Sequence, residues 1–341
     1  MGCPESDAEI IAGVFIQAEL RNLPSHGMIR IRDYYELWKK GRINTTPDIR
    51  VVHETPSTSV IDADGAIGMI GATRSLELAI AKARQTGTGW VGTRNSNHLG
   101  IGSHYAMKAL PHKMIGLSMT NANPTVAPPH ALERVIGTNP ITMAVPAGQE
   151  PPFVADFSTS AIARGKLAVA SEKGEQVPYG YVQDKDGQPS NDPDVMKKGG
   201  AMVPLGSDLD HGSHKGYALA AMVDLLCGVL PGANFGPFIP PFLPYLPMPD
   251  KQVGKGMGHF FGALRIDAFM PSEEFLARMD LWIQTMRNTK AIPGKKVLIP
   301  GDVERAAEIE NLRNGIKILP GIQKDLIYVA GKLGCDFEPQ P

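Results

Sequence analysis

A surplus of either charge, paired cysteines and long apolar runs are all missing from this chain of 341 residues. Its 34 Lys and Arg against 35 Asp and Glu leave a formal net charge of −1. That excludes the electrostatic footprint of a nucleic-acid or anionic-membrane binder. Short basic pairs such as Lys39-Lys40 and Lys295-Lys296 read as solvated lysines. The three cysteines, Cys3, Cys227 and Cys335, are far apart and form no CxxC. A disulfide framework is thereby excluded, and a reducing, cytoplasmic compartment is expected. No apolar stretch reaches the roughly 20 residues of a membrane span, and the polar, acidic opening has no secretory pattern. Residues 1–6 fit the loose myristoylation pattern, but an unmodified start is the plainer reading. No carboxylate or thiolate set stands at metal-ligand spacing beside the histidines, so no metal is expected. The G-x-S-x-G elbow of a serine hydrolase is absent. The dinucleotide fingerprint also fails. Its nearest match, Gly100-Ile101-Gly102-Ser103-His104-Tyr105, has Tyr105 where the third glycine belongs, and no acidic residue at the required distance.

What is present is glycine and proline, 37 and 29 residues, punctuating a pattern of mixed helices and strands. Apolar spacing predicts helices over 8–23 and 29–40, with Pro24 between them, then 75–86, 104–110, 215–230, 272–286 and 302–314. Strand patterns cover 49–70 with a turn at Asp64-Gly65, then 89–92, 114–120, 153–157 and 260–269, with a hairpin turn at 184–187. The proline-rich stretch 232–258 carries Phe235, Phe238, Phe242 and Tyr245, and reads as a packed loop rather than a linker.

Chemistry concentrates in two histidine motifs. Ser25-His26-Gly27-Met28-Ile29-Arg30 places an imidazole four residues before a guanidinium, on one face if the segment is helical. Asn97-His98-Leu99-Gly100 places a second imidazole in a glycine turn. A base beside a fixed cation suits oxidation of a hydroxy acid: the base takes the hydroxyl proton and the arginine holds the carboxylate. Two further segments could hold phosphates. Asp156-Phe157-Ser158-Thr159-Ser160 is a strand end opening into hydroxyls. His211-Gly212-Ser213-His214-Lys215-Gly216 sets a lysine before an apolar helix. Arg94 and Arg134 are candidates for a second acidic group of a substrate. His104 and His259 read as structural.

Together with Gly137-Thr138-Asn139-Pro140, Pro204-Leu205-Gly206, Gly258-His259-Phe260-Phe261 and Pro300-Gly301-Asp302, these segments run in the order of the malate/L-lactate dehydrogenase type-2 family. The chain resembles it from about residue 8 almost to the C-terminus. The resemblance implies an α/β, non-Rossmann NAD(P)-binding fold with a mixed, largely antiparallel sheet. It also implies a helical domain from both chain ends (1–55 and 266–341) around a cofactor domain (56–265), in a homodimer. It implies NAD, with NADP as the alternative, held by Asp156, Phe157, Ser158, Thr159, Ser160, His214, Lys215, Gly301 and Asp302. His26 or His98 would exchange the substrate proton, Arg30 would pair with its carboxylate, and Tyr34, Ser25 and Asn121 would contact substrate. The family usually has a further N-terminal segment of about one helix before the helix leading to Ser25, which this sequence lacks.

The leading expectation is an NAD(P)-dependent 2-hydroxyacid dehydrogenase acting on malate and oxaloacetate. Lactate and sulfolactate are the nearest alternatives. A serine hydrolase using Ser25 or Ser158, and an inactive truncated paralogue acting through its dimer surface, are the competing classes.

Overall fold

The computed structural model describes residues 1–335 and 337. Helix α1 (Glu5–Leu20) opens the chain, followed by two short 3₁₀ turns, Pro24–His26 and Met28–Arg30, and α2 (Ile31–Lys39). Strand β1 (Arg50–Glu54), strand β2 (Thr58–Asp62), helix α3 (Gly68–Thr86) and strand β3 (Thr88–Ser96) come next. Helix α4 (Gly102–Met107) precedes strands β4 (Met114–Thr120), β5 (Ile141–Val145) and β6 (Phe153–Phe157). Helix α5 (Arg164–Lys173) leads to the short strands β7 (Val182–Gln183), β8 (Pro189–Ser190) and β9 (Ala201–Met202). Helix α6 (Ser213–Asp224) widens into a π turn at Leu225–Val229, and β10 (Met257–Arg265) follows the proline-rich stretch. Helices α7 (Ser272–Arg287), α8 (Asp302–Asn314) and α9 (Pro320–Leu333) complete the described chain.

The seven-stranded sheet has the order β1-β2-β3-β10-β4-β5-β6. Only β2 and β3 run parallel, joined across α3; every other neighbour is antiparallel. The last strand in sequence thus enters the sheet centre, a topology no doubly wound Rossmann sheet has. Strand β10 can lie there because both its faces admit close neighbours. A Cβ on Gly258 would stand 1.8 Å from the Cys227 carbonyl oxygen, and one on Gly262 would stand 2.5 Å from the Trp90 ring. One apolar core joins α1, α2 and α3 to the sheet through Val14, Tyr34, Leu37, Met69, Leu76, Val91 and Phe261. A second fills the space among α5, α6 and the small sheet β8-β7-β9, with Leu167, Val182, Met202 and Ala220.

Helices from both chain ends meet. Arg21, 3% exposed, pairs with Glu308 of α8 at 2.9 Å, and the Asn311 amide donates to the Leu20 carbonyl at 2.8 Å. Arg32 pairs with Asp325 of α9 at 2.9 Å and lies over the Tyr328 ring.

Several sequence expectations are corrected. The strand pattern over 49–70 ends at Asp62, because Asp64 and Gly65 both take positive φ and α3 already begins at Gly68. That helix ends where expected, with Gly87 in the left-handed conformation. The helix over 29–40 is a 3₁₀ turn followed by α2, so His26 and Arg30 do not share one helical face. The helix over 215–230 leaves α geometry at Asp224. Helix α9 was not foreseen, since Gly321 and Gly331 weaken its helical pattern; it is held by docking on α2, with Tyr35 and Tyr328 edge to face.

Candidate active site

The two histidine motifs converge. The His26 and His98 rings stack with centroids 5.6 Å apart and planes 18° apart, and Phe242 stacks on the other side of His98 at 4.3 Å. Phe242 belongs to the proline-rich stretch, which is therefore a packed wall of the site. A cavity of about 360 Å³, lined by His98, Phe242, Arg42 and Lys255 among others, adjoins this wall.

Each imidazole is fixed through Nδ1. In His26 it meets the Ser25 hydroxyl at 2.9 Å. In His98 it meets the Tyr34 hydroxyl at 2.7 Å, and the same hydroxyl donates to the His98 carbonyl oxygen at 3.0 Å. The Gly100 N–H lies farther from His98 Nδ1, at 3.3 Å. Burial holds both rings neutral. It lowers His26 to about 4, helped by the Arg30 charge and opposed by Asp156. It lowers His98 well below the ordinary imidazole value, helped by His26, Arg30 and His259. Burial likewise raises Tyr34, so its hydroxyl keeps its proton.

Arg30 reaches this cluster although no helix face carries it there. Its Nε donates to the Ser25 carbonyl at 2.7 Å and its Nη1 to Asp33 at 3.2 Å. A guanidinium has five N–H donors, so part of the fork stays free for a carboxylate. The turn bearing His26 is anchored by Glu19, whose Oε1 accepts the Met28 N–H at 2.7 Å. A Cβ on Gly27 would stand 2.2 Å from that oxygen, so the carboxylate needs a glycine there. The His98 loop rests on Gly68, where a Cβ would stand 2.0 Å from the Asn97 carbonyl oxygen. Glu19, Gly68 and Phe242 were missed by sequence reasoning. Only Phe242 carried a signal, as one of the aromatics in the proline-rich stretch.

The expected cofactor segments also gather, along the edge strand β6. Asp156 near its end accepts the Ser103 N–H at 2.8 Å and the Thr142 hydroxyl at 2.9 Å. The glycine pair of the failed fingerprint thus starts a helix whose N–H groups hold a protein carboxylate. Phe157 is exposed, while Thr159 and Ser160 are buried. The Ser160 hydroxyl donates to the Ile162 carbonyl at 2.8 Å and lies 3.2 Å from Ser158 Oγ. The Leu205 N–H donates to the Thr159 carbonyl at 2.9 Å. Gly216 of α6 packs against Leu205 so closely that a Cβ would stand 2.1 Å from its carbonyl oxygen. His214 and Lys215, the two residues just before it, are exposed, and Lys215 forms no ion pair among the described residues. At the other end of β6, the Val154 N–H donates to the Pro300 carbonyl at 3.0 Å. Gly301 turns there with φ +96°, and the Asp302 carboxylate takes Arg287 at 2.8 Å and Arg305 at 2.9 Å.

Asn121 is not brought to the cleft by its side chain. It is wholly buried; its amide donates to Asp224 at 3.2 Å and to the Asn234 carbonyl at 2.9 Å, and accepts the Gly258 N–H at 3.0 Å. Its amide is spent tying the end of β4 to the segments on either side of the proline-rich stretch. Asn139 of the Gly137-Thr138-Asn139-Pro140 motif is likewise buried, bonded to Ala122 and Ala220.

The malate/L-lactate dehydrogenase family model matches residues 1–327. The chain belongs to that family. A malate dehydrogenase from Pyrococcus horikoshii is 36% identical over 98% of this chain and 91% of its own. An L-sulfolactate dehydrogenase from Methanocaldococcus jannaschii is 36% identical over 99% and 93%. The solved structure of a sulfolactate dehydrogenase from the latter organism superposes with a TM-score of 0.88 at 36% identity, covering 98% of this chain and 93% of the other. A malate dehydrogenase from Entamoeba histolytica gives a TM-score of 0.90 at 29% identity, over 100% and 94%. The family chain described here is an oxidoreductase acting on CH–OH groups, of the 2-hydroxyacid dehydrogenase type. No helix among its described residues is long and apolar enough to cross a membrane.

Proposed function

We propose that the chain interconverts malate and oxaloacetate with a nicotinamide cofactor, NAD in the first instance, and that His98 exchanges the substrate proton. The observation that carries this reading is the pair of neutral stacked imidazoles beside an arginine with spare donors. The residues fit a dinucleotide. Lys215 offers an ammonium with no ion pair among the described residues, and β6 is a sheet edge flanked by hydroxyls and by the Gly301 turn. Asp156, Phe157, Ser158, Thr159, Ser160, His214, Lys215, Gly301 and Asp302 would hold the cofactor, which when bound supplies the hydride acceptor.

The protein's part is proton transfer and positioning. In the Nδ1–H tautomer the ring donates to the Tyr34 oxygen and the Tyr34 hydroxyl donates on to the His98 carbonyl, at the cost of the longer 3.3 Å approach of the Gly100 N–H to Nδ1. The lone pair of Nε2 is then free to take the proton of the substrate hydroxyl as hydride leaves. His26, steered by Ser25, orients substrate alongside, and the free donors of Arg30 grip the carboxylate.

We also propose the division into 1–55 with 266–341 and 56–265, which the ion pairs between chain ends support. A homodimer is proposed too, supported by Met222, Leu225, Val229 and Leu230, all more than half exposed on consecutive turns. A cytoplasmic setting fits the unpaired cysteines.

The test is oxidation of NADH by oxaloacetate, pyruvate and sulfopyruvate in parallel, with NADPH as comparison. Turnover on oxaloacetate that His98→Ala abolishes supports the reading. Absence of turnover on every acid, with no quenching or enhancement of NADH fluorescence on binding, refutes it.

A further inference from the structure

Arg30, the arginine proposed for the substrate carboxylate, has a second guanidinium within electrostatic range, that of Arg164. Arg164 begins α5, directly behind Ser25: a Cβ on the next residue, Gly165, would stand 3.0 Å from the Ser25 Cβ. Ser25 in turn holds Arg30 through its carbonyl. The Arg164 guanidinium lies within electrostatic range of Arg30, Arg134, Asp33 and Tyr245. It is partly buried and makes no ion pair or side-chain hydrogen bond among the described residues. The carboxylate in that company, Asp33, is already paired with Arg30. A half-buried guanidinium with no partner among the described residues, within electrostatic range of a second guanidinium, is unfavourable unless an anion completes it.

The other candidates have donors already committed: Arg94 is paired with Asp62 at 3.2 Å, and Arg134 gives one donor to the Met196 carbonyl at 3.4 Å. A monocarboxylate held by Arg30 would leave Arg164 unsatisfied. A dianion would satisfy both.

We infer that Arg164 binds the second anionic group of the substrate, a carboxylate or sulfonate, and so selects dianionic 2-hydroxy acids over monoanionic ones. This rests on the proposed dehydrogenase reading for the identity of the ligand, but not for its charge. The step is binding alone: Arg30 holds the carboxylate next to the reacting carbon and Arg164 the distal group, which fixes the orientation of the substrate between them.

The experiment uses the full chain with NADH present. Wild type, Arg164→Ala and Arg164→Lys are titrated calorimetrically with L-malate, L-sulfolactate and L-lactate. The same proteins are assayed with oxaloacetate, sulfopyruvate and pyruvate, and far-ultraviolet circular dichroism verifies folding. Wild type should bind at least one dianion better than lactate. Arg164→Ala should lower that preference about tenfold, as expected for loss of a charge-assisted contact, mainly through KM, and Arg164→Lys should restore part of it. Malate and sulfolactate losses compared with each other tell which distal group the site prefers. Equal losses for dianion and monoanion, or a preference that survives Arg164→Ala, overturn the inference. If no acid is turned over, the dehydrogenase reading fails while the binding titration still decides: dianion preference lost in Arg164→Ala supports the inference, and a wild type binding the three acids equally, or none of them, overturns it.

Discussion

His259 offers a sharp test of the site's scaffold. It is wholly buried on β10, with Nδ1 against the Thr120 hydroxyl at 2.7 Å and Nε2 against the Ser96 hydroxyl at 2.8 Å. It therefore stitches β10 to β4 and β3, the strands that end beside His98. His259→Leu keeps a side chain of moderate size but leaves the Ser96 hydroxyl without its bond, while Thr120 still reaches the Asn121 and Gly258 carbonyls. One unsatisfied buried hydroxyl plus two lost hydrogen bonds should cost about 3 kcal/mol at pH 7.5. The cost should then depend on pH. Burial lowers His259 from its ordinary value to about 3, so the unfolded chain takes up a proton below about pH 6.5 and the folded chain does not. Wild type therefore holds this contribution in full above the unfolded value and loses it as pH falls. At pH 5 the loss is about 2 kcal/mol, at about 1.4 kcal/mol per pH unit. The leucine variant has no such proton, so the stability gap between the two proteins should shrink from about 3 to about 1 kcal/mol. Urea unfolding followed by circular dichroism at pH 7.5 and 5.0 measures it, and His259→Gln, which can keep both hydroxyl bonds without titrating, serves as control. A gap that stays constant or widens at pH 5 would refute the buried neutral imidazole.

The remaining expectations concern the site. With His98 neutral, kcat/KM for oxaloacetate reduction should fall about tenfold per pH unit across pH 6–8, because the proton-donating form becomes scarce, while malate oxidation stays level over the same range; a level reduction profile contradicts the assignment. Tyr34→Phe frees the His98 ring and should lower kcat about tenfold with little change in KM for cofactor, read by steady-state kinetics. Gly68→Ala drives a Cβ into the Asn97 carbonyl, and should depress both the melting temperature and kcat, whereas substitution at the open Gly321 should leave kcat unchanged. Lys215→Ala should raise the KM for NADH about tenfold or more without a matching fall in kcat; equal losses in both would remove Lys215 from cofactor binding.

The sequence by itself determined the local elements and the inventory of chemical groups. Strands β4 and β6 match their expected bounds because apolar alternation and turn residues act over a few positions. Helix α8 does so because its Gly301 start and Gly315 end are local signals. The departure of the Gly100–Gly102 segment from the dinucleotide fingerprint was legible as well, since Tyr105 stands where the third glycine would let helix and strand pack closely. Tertiary structure decided the rest. That His26 and Arg30 meet through the Ser25 carbonyl rather than along a helix depends on Glu19, a carboxylate from the preceding helix, folding the turn. That the Asn121 side chain serves as a tie depends on Asp224 and Asn234, each more than a hundred residues away in sequence. That α9 is a helix at all depends on the surface of α2. Arg164 carried no motif, and α5 packing on Ser25 brings it within electrostatic range of Arg30. Local pattern reports what a residue is suited to do. Which groups it meets is fixed by burial and long-range pairing, and those are properties of the folded chain.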